Sequence, residues 1–202
     1  MLVSYDKSYL QKGFTTICGI DEAGRGPLAG PVVVAGAIMP LDDDKIIPGV
    51  NDSKKLSEKK REKLYDEIVK TAIAFHVEVI DAELIDEINI LNATKLGMNN
   101  CIKALSTADV VLIDAVKPSD DGRIVPIIKG DATSYNIAAA SILAKVTRDR
   151  LMLQLDEQYP QYCFAKHKGY GTALHVSLLK EHGPCKLHRR TFIKNFFPAD
   201  EQ

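Results

Sequence analysis

Short β-branched apolar runs alternate with segments of helical spacing along most of this chain. Thr16–Ile20 predicts a short strand ending in the acidic pair Asp21-Glu22. A turn-rich stretch follows, with Gly24, Gly26, Pro27, Gly30 and Pro31, and then a second strand over Val32–Met39. So short a connection favours an antiparallel pair. Beyond the acidic, Pro/Gly-bounded loop Asp42–Gly49, Ser57 is placed to cap a helix running to about Lys70, with Leu64, Ile68 and Thr71 on one face. Ala72–Ile80 predicts a third strand, Asp81–Glu87 a short acidic helix start, and Asn92–Leu105 a longer helix. Val110–Ile113 has the character of a buried strand ending at Asp114, and Ile124–Ile128 that of a fifth strand leading to Gly130-Asp131. A helix rich in Ala and Ser spans about Asn136–Asp149 and continues, or gives way to another, to about Gln158; a last one spans Thr172–His182.

Opening strands followed by alternating elements predict an α/β domain around a mixed sheet. Near Tyr159-Pro160 the sheet pattern stops. Residues 1–160 are therefore read as the main domain and 161–202 as a basic helical C-terminal extension packed on it, in one structural unit.

Composition adds little to the class but something to the partner. The charged fraction of 26% and apolar fraction of 46% are ordinary for a globular protein. No apolar run is long enough to span a membrane, and the N-terminus lacks a basic-then-apolar signal pattern, so a cytoplasmic protein is expected. Cys18, Cys101, Cys163 and Cys185 form no CxxC pair and are read as reduced thiols. The net charge of −1 averages unlike regions. Residues 161–195 carry seven basic side chains against the single acid Glu181, interleaved with Tyr162, Phe164, Tyr170 and Phe192. That combination suits a polyanion such as nucleic acid, or simply a solvated basic face.

The candidate chemistry lies in carboxylates. Asp21, Glu22 and Asp114 stand at predicted strand ends, and Asp131 opens the segment before the Ala-rich helix. Each alone reads equally as a turn or helix-start acid. Together, four acids brought to one place repel one another unless divalent cations join them. Oxygen-only donors match magnesium or manganese, and two such ions clamp an in-line displacement at phosphorus. The competing cluster Asp81, Glu83, Asp86 and Glu87 reads better as helix N-terminal charge. Gly24-Arg25-Gly26 allows close backbone approach to a ligand and offers a guanidinium to phosphate. Ser53 and Lys54, in Asn51-Asp52-Ser53-Lys54-Lys55-Leu56, are placed to hold a phosphate or to lie in an exposed loop. His167, His182 and His188 are too far apart for a compact metal motif and are read as phosphate or surface residues. No nucleotide-binding GxxxxGK[ST] or GxGxxG and no GxSxG elbow is present.

Several blocks occur in order: Gly19-Ile20-Asp21-Glu22-Ala23-Gly24-Arg25-Gly26-Pro27, Asn51 to Leu56, Asn89 to Thr94, Ile113-Asp114, Lys129-Gly130-Asp131, Ala138–Asp149, His167 to Thr172, and Gly183-Pro184-Cys185 with Leu187-His188-Arg189-Arg190. In these the chain resembles bacterial ribonuclease HII, from about Ile17 to Phe197. The resemblance implies a ribonuclease H-like mixed five-stranded sheet flanked by helices, with a helical C-terminal extension. It implies that Asp21, Glu22, Asp114 and Asp131 are catalytic, metal-binding carboxylates for magnesium or manganese. Gly24, Arg25, Gly26 and Tyr170 would recognise a ribonucleotide followed by a deoxyribonucleotide, with Ser53 and Lys54 also on substrate. The implied reaction is hydrolysis of RNA in RNA–DNA hybrids and 5′ of ribonucleotides embedded in duplex DNA, leaving 3′-hydroxyl and 5′-phosphate ends. Ala115 departs from the pattern, where many relatives have glycine.

Rival readings are another nuclease or a transposase of this fold, a hybrid-binding module that does not cut, and a generic globular protein with a basic tail. Nothing demands more than a monomer. A replication-clamp contact is left open, because Phe196-Phe197-Pro198 reads equally as core or tail.

Overall fold

The computed structural model describes residues 2–114 and 116–196. The expectations for Ala115 and for Phe197-Pro198 lie outside the described residues. Five strands, β1 (Ile17–Ala23), β2 (Val32–Ile38), β3 (Ala74–Ile80), β4 (Val110–Asp114) and β5 (Ile124–Ile127), form one sheet in the order β3-β2-β1-β4-β5. β1 pairs antiparallel with β2, and β2 antiparallel with β3; β4 runs parallel to both β1 and β5. The mixed sheet expected from the element order is therefore present, with the turn-rich stretch after β1 closing an antiparallel pair.

Both faces of the sheet are covered, which explains why β2 is apolar throughout and buried along its whole length. Val33, Ala35 and Ala37 point into a core shared with α2 (Glu58–Thr71) and α4 (Tyr135–Gln158). Val34 and Ile38 join Cys18 and Ile20 of β1 in a second core against α3 (Ala82–Ala104). The Ala-rich face of α4 permits close approach, and Gly19 makes it closer still. A Cβ at Gly19 would stand 2.1 Å from the carbonyl carbon of Asn136. α4 is thus seated against the strand that carries Asp21 and Glu22.

Local chemistry sets the element boundaries. The Ser57 side chain accepts from Lys60 N–H and caps α2, and the Ser134 side chain accepts from Ile137 N–H at the start of α4. α3 is broken at Asn89, whose φ of 65° and ψ of 161° interrupt the helix while its Oδ1 accepts from the N–H groups of Leu91 and Asn92. The two helical pieces expected on either side are therefore consecutive arms of one kinked element. The sequence pattern did not announce α1 (Leu2–Gln11). Its anchor is a buried carboxylate: Asp6 Oδ2 accepts from the backbone N–H and the Nδ2 of Asn136.

The C-terminal segment contains α5 (Phe164–His167), α6 (Ala173–His182) and α7 (Arg190–Ile193). It is stitched to the loop between β1 and β2. Leu28 N–H and Ala29 N–H donate to Gly169 O, Gly30 N–H to Leu187 O, and Arg189 N–H to Leu28 O. Among the described residues no helix is long and apolar enough to cross a membrane.

Candidate active site

β1 continues beyond Ile20 because Asp21, Glu22 and Ala23 pair with Ala35, Val34 and Val33 of β2. The acidic pair consequently sits inside the strand rather than after it, and backbone pairing fixes its position. Asp114 ends β4, the parallel neighbour of β1, and its Oδ1 accepts from Gly130 N–H at 2.9 Å. That bond ties β4 to the 3-10 turn Gly130–Ala132, which carries Asp131. Three separate segments thus deliver the four predicted acids.

They lie close enough to act on one another's charge. Burial, then the Glu22 and Asp114 charges, hold the Asp21 carboxyl well above its usual range. Burial likewise raises Glu22, with Asp114 adding to it and Arg25 and Lys54 opposing it. Asp131 is raised by burial and by Asp52 and Asp114. Asp21 Oδ1 accepts from Glu22 N–H at 2.8 Å, and Arg25 Nη1 stands 3.4 Å from Glu22 Oε1. Glu22 Oε2 is buried with no hydrogen-bond partner. A cation already lies near these acids: Lys54 Nζ is 3.6 Å from Asp131 Oδ2. Burial would lower the Lys54 pKa, but Asp131, Asp21, Asp52 and Asp114 together raise it.

Among the described residues, no three His, Cys, Asp or Glu side chains already surround a metal position. The donor set nevertheless fits a hard divalent cation. It consists of oxygens, it is crowded and partly desolvated, and one of its oxygens has nothing to bind. Added positive charge relieves the repulsion that raises these carboxyl groups.

A cleft of about 210 Å³ opens beside the acids, lined by Glu22, Gly24, Arg25, Ser53, Lys54 and Tyr170, with Ser141 and Lys145 from α4. Of the predicted substrate-binding residues only Gly26 is not in its lining, and a Cβ at Gly26 would meet nothing within 4 Å. Gly24 differs: its φ is +97°, and a Cβ there would lie 2.1 Å from Arg148 Nε. Ser53 Oγ and Ser141 Oγ are 2.8 Å apart, and Ser141 acts to lower the Asp21 carboxyl against the effect of burial. Asp52, Ser141 and Lys145 fall within the quoted sequence blocks, yet no feature of the sequence distinguishes them from capping or helix-surface residues.

Tyr170 is 43% exposed, and the Arg148 guanidinium lies 5.6 Å from its ring centre. Its backbone is held from below. His175 Nδ1 lies 2.9 Å from Tyr170 O, and His175 Nε2 lies 3.1 Å from His188 Nε2. His167 and His188, expected as phosphate or surface residues, are buried. The reason is aromatic packing: His167 stacks on His175, and both Tyr162 and Phe164 pack against His188. Of the competing acids, Asp81 takes the helix-start role expected of the group, and Asp86 a different one. Asp81 caps α3 through Leu84 N–H, and Asp86 accepts from the N–H groups of Arg190 and Thr191.

Comparison with known proteins gives the arrangement its family. The model of the family described as Ribonuclease HII matches residues 18–197. Ribonuclease HII of Ruminiclostridium cellulolyticum is 54% identical over 197 residues, covering 96% of this chain and 76% of that protein. The Caldicellulosiruptor bescii protein of the same name is 52% identical over 204 residues, covering 96% and 98%. Among solved structures, the complex of PCNA with RNase HII from Archaeoglobus fulgidus superposes with a TM-score of 0.74 at 31% identity, covering 87% of this chain and 94% of that one. With that identity sustained across nearly its whole length, the chain belongs to the ribonuclease HII family, hydrolytic, metal-dependent endonucleases acting on RNA in RNA–DNA hybrids.

Proposed function

We propose that this enzyme cuts on the 5′ side of a ribonucleotide embedded in duplex DNA, as well as within the RNA strand of hybrids, and leaves 3′-hydroxyl and 5′-phosphate ends. Asp21, Glu22, Asp114 and Asp131 are its catalytic, metal-binding carboxylates. The observation that carries the reading is the mutual electrostatic coupling of these acids beside a cleft walled by Arg25, Lys54 and Tyr170. When bound, magnesium or manganese, two ions during the reaction, supplies activation of the attacking water and charge neutralisation at the leaving oxygen.

The chain's own residues bind and orient. Glu22 and Arg25 hold each other at the mouth of the cleft, so the guanidinium stays available to the phosphate being cut. Ser53 and Lys54 take an adjacent phosphate. The backbone at Gly24 and Gly26 reaches the 2′-hydroxyl, the only group that marks RNA at one position. The Tyr170 ring stacks on the following sugar, where a second 2′-hydroxyl would crowd it. The extension that begins at residue 161 contributes Tyr170 to this cleft and is not an independent domain. The enzyme works in the cytoplasm as a monomer, and the PCNA complex of its archaeal relative supports a replication-clamp contact here as well.

The test is a DNA duplex carrying one ribonucleotide, compared with an all-DNA duplex, with and without magnesium or manganese. Metal-dependent cleavage only 5′ of the ribonucleotide is expected. Binding without cleavage would instead indicate a non-cutting hybrid binder, and cleavage of both duplexes a general nuclease of this fold.

A further inference from the structure

Two arginines lie fully buried beneath the loop that joins β1 to β2, and among the described residues neither has a carboxylate partner. Arg189 Nη2 donates to Gly24 O at 2.6 Å and Gly30 O at 2.8 Å, its Nη1 to Arg25 O at 2.9 Å, and its Nε to Gly30 O at 3.0 Å. Arg148 Nε donates to Pro31 O at 2.9 Å and its Nη2 to Ala29 O at 3.3 Å, while Nη1 has no partner. The loop's carbonyls are thus turned inward onto two guanidinium forks. Among the described residues, no hydrogen bond uses the backbone N–H of Gly24, Arg25 or Gly26.

Two like charges buried side by side are costly, and carbonyl dipoles offset only part of that cost. Burial together with Arg148 pushes the Arg189 guanidinium down to about 9. Asp86 opposes this only at a distance, with no ion pair among the described residues, and Gly24 and Arg25 of the same loop line the cleft that would receive a phosphate. We infer that Arg148 and Arg189 are positioning residues for substrate. They hold the Gly24 and Arg25 carbonyls inward, keep the amides of the same loop free for the ribonucleotide-containing strand, at its 2′-hydroxyl and the adjoining phosphate, and place positive charge behind that phosphate. This rests on the substrate reading above but is tested independently of cleavage.

Lysine at either position keeps a charge but cannot span several carbonyls as the planar fork does. The experiment measures the affinity of Arg189→Lys, Arg148→Lys and Arg148→Met for a duplex containing one ribonucleotide, by fluorescence anisotropy in EDTA. Circular dichroism and thermal melting are recorded on the same samples. Loss of charged hydrogen bonds behind the loop predicts binding weaker by about tenfold or more in variants that still melt cooperatively. Arg148→Met should in addition show a shallower dependence of affinity on salt. Folded variants that bind within about twofold of the wild type, with only the melting temperature lowered, would overturn the inference in favour of a purely structural role. If Arg189→Lys does not fold, the Arg148 variants decide, because Arg148 makes fewer bonds and has an idle Nη1. A wild-type enzyme that binds this duplex without cutting it would defeat the cleavage proposal and leave the binding comparison intact.

Discussion

His188 and His175 face each other through their Nε2 atoms at 3.1 Å, so one of the two must donate and the other accept. The outer bonds settle which. His188 Nδ1 accepts from Cys185 N–H, so its proton sits on Nε2; His175 Nδ1 therefore carries the other proton and donates it to Tyr170 O. A second proton on either ring would set two N–H groups against each other. Burial pushes both imidazoles down to about 4; His167, stacked on His175 at 4.3 Å, adds repulsion there, and His175, then Arg190 and His167, add it at His188. Tyr162, Phe164 and Cys185 complete the surroundings and bring no compensating negative charge. A depressed folded pKa means that this contribution to stability is present above about 6.5, the ordinary histidine value, and is lost as pH falls through about 4. Between pH 7 and pH 4.5 the melting temperature of His188→Phe should therefore fall less than that of the wild type. Equal slopes would show that the pair does not govern acid stability.

Gly19 offers a test of how α4 is seated. Alanine there places a Cβ 2.1 Å from the Asn136 backbone, where no side-chain rotation relieves it. Overpacking of this kind costs on the order of 1–3 kcal/mol. For a chain of this length that lowers the melting temperature by roughly 2–12 °C. Because β1 carries Asp21 and Glu22, cleavage by Gly19→Ala should fall along with stability. A variant that melts like the wild type would mean that the helix shifts away at little cost.

Much of this was legible in the sequence, for physical reasons. Val32–Met39 has both β-branched character and a polar-free pattern, so its strand and its two-sided burial follow directly. Asp114 closes a run of apolar residues and stands where a strand must end. What remained hidden depends on distant partners. Nothing in Leu2–Gln11 announces a helix whose hold is Asp6 on Asn136, 130 residues away. Asp21 and Glu22 belong to β1 only because β2 is there to pair with them. Arg148 and Arg189 read as two basic residues among many until the fold buries them under one loop.

Asp21 links the metal reading to stability. Its carboxyl is raised by burial, Glu22 and Asp114, so its charge opposes folding at neutral pH when no metal is bound. Asp21→Asn removes that charge while keeping the shape. The metal-free variant should melt higher than the metal-free wild type, and the rise in melting temperature on adding magnesium or manganese should shrink. Cleavage should fall by more than about 100-fold, since even outer-shell partners of a metal site cost about 10–100-fold. Hybrid binding in EDTA should change little. Wild-type rates with metal present would remove Asp21 from the metal site.

Tyr170 tests the recognition of the junction separately from the chemistry. The residue is 43% exposed beside the cleft, and its backbone is fixed by His167 O, Thr172 N–H and His175. Truncation to alanine removes the ring but none of those backbone bonds, so stability should change little. Stacking of an aromatic ring on a nucleotide contributes about 1–3 kcal/mol. Tyr170→Ala should accordingly lose roughly tenfold or more in kcat/KM on the duplex with a single ribonucleotide. On a continuous RNA–DNA hybrid, where every sugar of the cut strand carries a 2′-hydroxyl and the ring gains less, the loss should be smaller. The ratio of the two substrates is the decisive quantity. If both fall equally, Tyr170 supports the cleft without reading the junction, and the specificity must come from the backbone of Gly24 and Gly26 alone.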